Sequence, residues 1–533
     1  MKLHILKLPY AVTLLFTALS FTNCSKDDDG IEPQTILEPE VETSILLNDE
    51  VNDFIWQGLN EIYLWQESVP NLSDTKFFTT AQYNTFKNTR NPSTLNSEVT
   101  NNYFAFLNGY ADPKALFDDL LYQKGSIDKF SFLTEDYVAL ENSFQGISTW
   151  NGVDFQLVRL SGSDDIFGYV RYIANGSDAV NKDINRGDFF LSVDGQQLTI
   201  HNYKRLLFDG GNNYTLGMAE ITNGSITPNG KTVNLIKTEF TENPILISKV
   251  IDANGTKVGY LMYNSFTANF DGALNQTIGE LKSQGISDLV LDLRYNPGGR
   301  VSSAIALASM ITGQFTGQVF SKEIWNGKYQ SYFESENPEN LVNRFVDKLS
   351  DGSPLNHLNL NKLYVLTTTG SASASELVIN GLKPYINVIQ IGTKTTGKYT
   401  ASITLYDSRN FGREGANPNH TYAIQPLVLK SANANGVTDY SNGLAPDYLI
   451  TYQSTSGIRE GENLSNMGVL GSDTEPFLAK ALSLISGSSA KLEAIKSQEK
   501  PMELDVRAVA DTKDFTPLRK DMFIDEIVLP LRN

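Results

Sequence analysis

One serine, one lysine and two glycines carry the residue types that acyl-transfer chemistry requires. Ser373 is the middle serine of the segment GSASASE, and Lys398 follows it further along the chain. A serine at a strand-to-helix turn can attack a carbonyl carbon when a nearby base accepts its proton. Gly298 and Gly299 end the segment LRYNPGG and can present N–H groups to the oxygen that becomes negative. The sequence therefore predicts a serine–lysine pair that cleaves peptide bonds.

The two oxyanion donors are predicted from the same two segments. Ala374 follows Ser373 and begins a predicted helix, where the first N–H groups have no acceptor within the helix. Either Gly298 or Gly299 is expected to supply the second N–H group, with Gly298 preferred. The alternative for the run of small residues is tight packing of a helix on a sheet.

Lysine is a better candidate for the base than any histidine of this chain. After the first 24 residues the chain has three histidines: His201 falls in the β-rich region at 140–240, while His357 and His420 lie in polar loops without a flanking motif. A Ser–His–Asp triad stays open, because its members can be distant in sequence. A lysine in water is protonated at neutral pH, whereas burial lowers its pKa by disfavouring the charged form. We therefore predict that Lys398 is buried, the alternative being an ordinary lysine on a surface loop.

The segment that ends at Lys398 also matches a phosphate-binding loop. Residues 392–398 fit the pattern G-x-x-x-x-G-K. Tyr399 stands where that loop has Ser or Thr for Mg²⁺, and a strand is predicted next instead of a helix. Nucleotide binding is thus the weaker interpretation.

Strands and helices alternate around these motifs and indicate an α/β domain. Apolar runs predict strands, and amphipathic or Ala-rich runs predict helices. The predicted strands are 258–266, 288–295, 363–368 and 388–391, and the predicted helices are 271–282, 301–312 and 374–382. Such alternation favours a mostly parallel sheet covered on both faces. The polar region 314–360 is interpreted as an insertion.

The remaining sequence suggests further domains on either side of this one. Apolar positions from Val51 to Tyr63 recur at helical spacing, after the candidate N-caps Asn48 and Asp49. Turn residues and short alternating runs predict strands between 140 and 240. The expected organisation is a signal peptide at 1–23, a tether at 24–44, a small helical domain at 45–135, a β-rich domain at 140–240, a catalytic domain at 241–480 and a C-terminal tail at 481–533.

The first residues are typical of an exported lipoprotein. Lys2 and Lys7 precede a short apolar core at residues 11–19, and Cys24, the only cysteine in the chain, follows it. We predict that Cys24 is lipidated and anchors the protein to the outer membrane of a two-membrane bacterium. The alternative is an incidental cysteine in a signal peptide cut elsewhere. Residues 25–30, SKDDDG, are interpreted either as a surface-export signal or as a solvated spacer, and the sequence favours neither over the other.

Composition argues against several functions. The net charge of −18 and the absence of a basic run after residue 30 argue against nucleic acid as a partner. No cluster of His, Cys and carboxylates has the spacing of a metal site, and we expect no metal or cofactor. The expected partners are polypeptide substrates and, through the lipid, a membrane.

Taken together, five segments resemble the carboxyl-terminal processing (tail-specific) protease family. They are DKFSFL at 128–133, INRGDFFLSVDG at 184–195, DLRYNPGG at 292–299, GSASASE at 370–376 and GLAPD at 443–447. The resemblance implies a crotonase-like catalytic core, with Ser373 as nucleophile and Lys398 as general base. It also implies a PDZ-like domain, whose carboxylate-binding loop would contain Gly146, Ile147 and Ser148.

One position departs from the family pattern. The family usually has Gln four residues after the lysine, where it orients the amine, and this chain has Ser402. Serine reaches less far, so efficiency and substrate preference are affected more than the reaction class. The rival interpretation is a catalytically inactive surface protein of the same fold that binds peptides or other ligands.

Overall fold

The computed structural model describes residues 44–498, 501–502, 504–516 and 520–524. The predicted signal peptide, Cys24 and the tether up to residue 43 lie outside the described residues. Contacts divide the chain between Ser44 and Ile45, and every element below belongs to the second unit. Among the described helices, none combines the length and apolar composition needed to cross a bilayer.

Four helices form the N-terminal part, as the spacing of apolar residues predicted for the first of them. The Asp49 side chain accepts the N–H of Val51 at 2.9 Å and thereby caps the first helix. Trp56 on this helix is fully buried and packs edge-on against Tyr103, with ring centroids 5.2 Å apart. The helices are α1 Glu50–Ile62, α2 Thr80–Thr89, α3 Ser97–Leu107 and α4 Pro113–Asp119.

A β-rich region follows, as predicted. Its elements are β1 Phe132–Thr134, α5 Tyr137–Phe144, β2 Ile147–Trp150, β3 Val153–Leu160, β4 Ile166–Ile173, β5 Phe189–Val193, β6 Gln196–Gln197, α6 Tyr203–Leu207, β7 Asn213–Thr222, β8 Ser225–Ile236 and β9 Thr238–Thr241. Asp194 and Gly195 form the turn between β5 and β6, and both have positive φ, as a tight hairpin requires. Strands β3, β4, β5, β7 and β8 follow one another in one sheet.

The central sheet begins with β10 and contains most of the predicted strands. The next elements are β10 Ile245–Ala253, β11 Thr256–Tyr263, α7 Asp271–Ser283, β12 Asp288–Asp292, β13 Gly299–Arg300, α8 Val301–Thr312, β14 Val319–Trp325, α9 Gly327–Glu336, β15 Val342–Arg344, β16 Lys362–Thr367, α10 Ala374–Leu382 and β17 Asn387–Gly392. Strands β11, β12, β16 and β17 are parallel, and β10 joins β11 antiparallel. The prediction of a mostly parallel sheet is confirmed.

The last elements complete the central sheet, cover one of its faces and contribute strands to a further six-stranded sheet. They are β18 Thr400–Ser402, β19 Leu405–Tyr406, β20 Ala423–Gln425, β21 Leu427–Asn433, β22 Tyr448–Leu449, β23 Thr451–Ser454, β24 Gly457–Glu460, α11 Pro476–Ser486, α12 Ala490–Gln498, β25 Val506–Asp511 and β26 Met522–Phe523. Helices α7, α8 and α10 pack in the same core as one face of the central sheet, and α11 packs against the other.

The six-stranded sheet that contains β14 and β26 corrects one expectation and shows where the C-terminal segment lies. Its order is β13-β26-β18-β21-β14-β15. Strand β14 comes from region 314–360, so that region is part of the sheet and not simply an insertion. The C-terminal segment, which the sequence left without a role, contributes β26 to this sheet and β25 to the edge of β3.

Candidate active site

Ser373 lies at the turn between β16 and α10, as predicted. It is fully buried, and its φ of 64° and ψ of −115° are unusual for a residue with a side chain. Such a conformation costs on the order of 1–3 kcal/mol and persists only where the surroundings enforce it. Its hydroxyl has no hydrogen-bond partner among the described residues. The structure thus holds one serine hydroxyl in a strained, unpaired arrangement.

The glycine-containing loop is fastened directly to the serine turn. The carbonyl oxygen of Asn296 accepts the N–H of Ala372 at 3.1 Å and the hydroxyl of Ser375 at 3.0 Å. The Asn296 side chain in turn donates to the carbonyl of Tyr263, at the end of β11, at 2.8 Å. The glycine-containing loop, the serine turn and the end of β11 are far apart in sequence and are held together by these hydrogen bonds.

Glycine is required at both predicted oxyanion positions. Gly298 and Gly299 have φ values of 115° and 133°, which side-chain-bearing residues rarely adopt. A Cβ on Gly298 would lie 2.6 Å from the Cβ of Ser373, and one on Gly299 would lie 2.3 Å from the carbonyl oxygen of Phe266. The backbone here approaches its neighbours too closely for any side chain.

The two glycine N–H groups differ in what they face. The Gly298 N–H donates to the side-chain oxygen of Asn296 at 2.9 Å, within its own loop. The Gly299 N–H donates to the main-chain carbonyl of Asp521 at 2.8 Å. The N–H of Ala374 has no acceptor in the described part of the chain. Both glycine N–H groups therefore have acceptors, but the acceptor of Gly299 lies on a separate segment, and displacing that segment would free this N–H group.

Glu376 joins the serine turn to the lysine loop, and sequence reasoning missed it. Its buried carboxylate accepts the N–H groups of Ser373 at 2.8 Å, Gly397 at 2.7 Å and Lys398 at 2.8 Å. Burial raises the pKa of Glu376 to about 7, although these hydrogen bonds oppose the increase. Glutamate three residues after a serine at a helix start is the capping-box pattern, which was the available signal.

Lys398 is buried, as predicted, but its amine has an unforeseen partner. Its side chain is fully buried, and burial lowers the pKa of Lys398. The amine forms an ion pair with the carboxylate of Asp521, which opposes this decrease. The amine also lies 5.0 Å from the centroid of the Phe130 ring. No hydrogen bond joins it to the Ser373 hydroxyl.

Ser402 contacts the same carboxylate and not the lysine. Its hydroxyl lies 3.0 and 2.9 Å from the two carboxylate oxygens of Asp521, and it accepts a hydrogen bond from Gln425 at 3.1 Å. Asp521 thus lies between Ser402 and the Lys398 amine, so Ser402 acts on the lysine only through this carboxylate. No local motif marks either Gln425 or Asp521.

A small cavity gives access to the buried amine. It has a volume of about 250 Å³, and its lining includes Phe130, Phe132, Lys398, Lys520 and Asp521. Phe130 and Phe132, which follow the N-terminal helices, and the C-terminal segment thus both contribute to the walls around Lys398.

The histidine and phosphate-loop alternatives find no support in the geometry. In the part of the chain that is described, His201 pairs with Asp164 and His420 with Asp407, while His357 lies near a helix carbonyl. None of the three contacts Ser373. Lys398 is followed by β18 and not by a helix, and its amine is occupied. Among the described residues, no group of His, Cys, Asp and Glu could hold a metal ion.

The predicted carboxylate-binding loop leads from α5 into β2. The Gly146 carbonyl accepts the N–H of Glu242 at 3.0 Å, and Ile147 and Ser148 begin β2, which pairs with β9. Ile147 and Ser148 line a cavity of about 290 Å³, together with Trp150, Leu207, Phe208, Tyr214 and Phe515. Their role in binding a peptide end stays a prediction.

Comparison with known proteins decides the family. Residues 257–413 match the model described as peptidase family S41, and residues 50–132 match the peptidase S41 N-terminal domain. Both matched segments belong to peptidase family S41. The S41 match contains Ser373, Lys398 and Glu376, whereas Gln425 and Asp521 lie outside it.

Curated relatives of this S41 chain resemble it over part of their length. A "Carboxyl-terminal-processing protease" of a Picosynechococcus species is 31% identical over 168 residues, which are 32% of this chain and 35% of the relative. A "Probable CtpA-like serine protease" of Staphylococcus epidermidis is 28% identical over 208 residues, which are 38% of this chain and 36% of the relative. The match thus spans about a third of the length of each relative.

One solved structure shares the fold of this S41 chain over most of its length. It comes from Bacteroides fragilis and is assigned to the S41 proteases. It covers 81% of this chain and 97% of its own length, with a TM-score of 0.58 and 24% identity. At that identity the likeness shows the fold alone.

Proposed function

We propose that this S41 chain is a serine endopeptidase that uses Ser373 as nucleophile and Lys398 as general base. The observation that carries the proposal is the Glu376 carboxylate, which binds the main-chain N–H groups of both residues. A single buried group thereby fixes the strained serine relative to the desolvated lysine. A structural role alone gives no reason for an unpaired, strained serine hydroxyl at this point.

In the proposed reaction, Ser373 Oγ attacks the carbonyl carbon of a peptide bond. Neutral Lys398 accepts the hydroxyl proton and then donates it to the leaving amine as the C–N bond breaks. The N–H groups of Gly299 and Ala374 stabilise the oxyanion, a contribution of about 10²–10³ in turnover for each donor. Water, deprotonated by Lys398, then hydrolyses the acyl-enzyme and releases the second product.

We infer that the substrates are extended polypeptides. The proposed crotonase-like core has a sheet edge beside Ser373, and the proposed PDZ-like domain would present substrate tails along β3. Peptides bind such domains by adding a strand to a sheet edge. We also propose that Cys24 carries a lipid and that the protein acts in the cell envelope, on exported substrates. Incorporation of labelled fatty acid in the parent protein but not in Cys24→Ala tests the anchor.

A fluorophosphonate probe tests the proposed nucleophile. Labelling of the parent protein, with loss in Ser373→Ala and in Lys398→Ala, is the expected result. Lys394→Ala is the matched control, because Lys394 is exposed on the same loop. Thermal melts establish that each variant is folded.

One observation favours a second candidate, a catalytically inactive binding protein. The Lys398 amine is bound to Asp521 and not to the Ser373 hydroxyl. Folded parent protein that resists the probe and hydrolyses no unfolded polypeptide would support this candidate and reject the peptidase.

A further inference from the structure

Residues 521–524 fill a slot between two strands beside Ser373. Strand β26 lies between β13 and β18 and runs parallel to both. The Asp521 carbonyl accepts the N–H of Gly299 at 2.8 Å, and the N–H of Ile524 donates to the carbonyl of Ser402 at 3.1 Å. The slot is thus a pair of strand edges that bind one extended polypeptide through its main chain.

The slot places a main-chain carbonyl next to the proposed nucleophile. The point that a Cβ on Gly298 would occupy lies 2.9 Å from Ser373 Oγ and 2.7 Å from the carbonyl oxygen of Asp521. That carbonyl also accepts the Gly299 N–H, which the proposed reaction assigns to the substrate oxyanion. The C-terminal segment therefore lies where the backbone of a substrate is expected.

The same segment also forms an ion pair with the proposed base, Lys398. The Asp521 carboxylate pairs with the Lys398 amine, and a paired ammonium cannot accept a proton. The other acidic groups that act on this amine are Asp128 and Glu376, and the Phe130 ring lies over it. Of the acidic groups, Asp521 alone forms a direct ion pair with the amine in the described residues.

A second stretch of the C-terminal segment covers the other polypeptide-binding edge. Strand β25 pairs antiparallel with β3, from Val506 opposite Leu160 to Asp511 opposite Gln156. Phe515 then stacks on Phe208, with ring centroids 3.8 Å apart. Both edges that the proposed function assigns to substrate are therefore filled by one part of the chain.

We propose that Asp521–Ile524 is a built-in competitor for the substrate, which fills the slot and keeps Lys398 paired until an extended polypeptide displaces it. This inference rests on the proposed function. Met522 is fully buried in the main core, and Phe523 packs against Phe144 with ring centroids 4.4 Å apart. The segment therefore stays bound when no competing strand is present.

Two full-length variants test this inference through the labelling rate of Ser373. Asp521→Asn keeps the strand but removes the charge that pairs with Lys398. Met522→Asp places a carboxylate in the apolar core, which expels the segment. Each should react with a fluorophosphonate about tenfold faster than the parent, because the Lys398 amine is then no longer held by a charged hydrogen-bond partner. Asp505→Asn removes the same charge from a partly exposed position away from Lys398 and should match the parent.

A binding measurement separates the failure of this inference from failure of the proposed function. In a Ser373→Ala background, a fluorescent peptide of residues 520–533 should bind the Met522→Asp protein and not the protein with an intact segment. Equal binding of the peptide to the two proteins, or slower labelling of Asp521→Asn than of the parent, would overturn the proposal that Asp521–Ile524 competes with the substrate. Absence of labelling in every variant would reject the peptidase, and peptide binding would still decide whether the slot is filled by the chain itself.

Discussion

The carboxylate of Glu376 accepts the main-chain N–H of Lys398 at 2.8 Å, across 22 positions of sequence. Because it also holds the N–H of Ser373, it sets the distance between the two loops of the site. The position of the proposed base is thus fixed through its backbone, while its amine is left to exchange partners.

Replacing Glu376 with Gln should reduce kcat/KM by about 10–100-fold. The amide nitrogen of Gln would face N–H donors, and an unsatisfied buried donor costs about 1–3 kcal/mol. Hydrolysis of an unfolded polypeptide measures the effect. Glu336→Gln, on the exposed end of α9, is the matched control. Full activity of Glu376→Gln would show that the two loops are held by other contacts.

The same variant should change how stability depends on pH. The pKa of Glu376 is about 7 in the folded protein, against an ordinary value of 4.5. The native state therefore holds this proton more tightly, and the stabilisation, roughly 3 kcal/mol, is complete below pH 4.5 and lost as pH rises through about 7. Between about pH 5 and 8, the free energy of unfolding should fall less in Glu376→Gln than in the parent. If the free energy of unfolding changed equally with pH in the two proteins, this assignment would be contradicted.

The pKa of Lys398 predicts the pH profile of activity. Burial lowers this pKa from its ordinary value of 10.5, and only the neutral amine accepts a proton. Activity should therefore rise with pH through the lowered pKa and then level off. Removing the Asp521 carboxylate should move this rise to lower pH, because the carboxylate stabilises the charged amine. Profiles of kcat/KM that coincide for the parent and Asp521→Asn would argue against the ion pair in solution.

Gly298→Ala should abolish activity and destabilise the protein. Its Cβ would lie 2.6 Å from the Cβ of Ser373, at a φ that alanine rarely adopts. We expect a loss of at least about 100-fold in kcat/KM, comparable to the loss of an oxyanion donor. Gly272→Ala is the matched control, because a Cβ there meets open space within α7. Equal activity of both variants would mean that the loop can move away.

Removing the Arg294 side chain should destabilise the loop beneath Gly298. This fully buried guanidinium pairs with Asp292 at 2.9 Å and with Glu475, on the cap of α11, at 2.7 Å. Leaving these carboxylates buried without a partner should lower the free energy of unfolding of Arg294→Ala by about 3–5 kcal/mol. Arg344→Ala breaks an exposed pair and should cost at most about 1 kcal/mol. Chemical denaturation compares the two.

Most elements near the site followed from local sequence. Helix α8 and helix α10 begin and end where the apolar patterns placed them, and β16 and β17 differ from prediction by one residue at either end. Helices α2 and α3 were not predicted, because their polar residues weaken the periodic signal. Strand β14 was missed for a related reason, since its polar neighbours suggested an insertion.

The sequence by itself determined the turn that carries Ser373, the glycine loop and the burial of Lys398, because each depends on residue types within a few positions. Only the tertiary structure decided what the lysine amine contacts. Asp521 is 123 positions away from Lys398, and Ser402 is 23 positions away from Gln425. A contact made by strand pairing across such distances leaves no local pattern, since any residue on an added strand can meet the site once the sheet has formed.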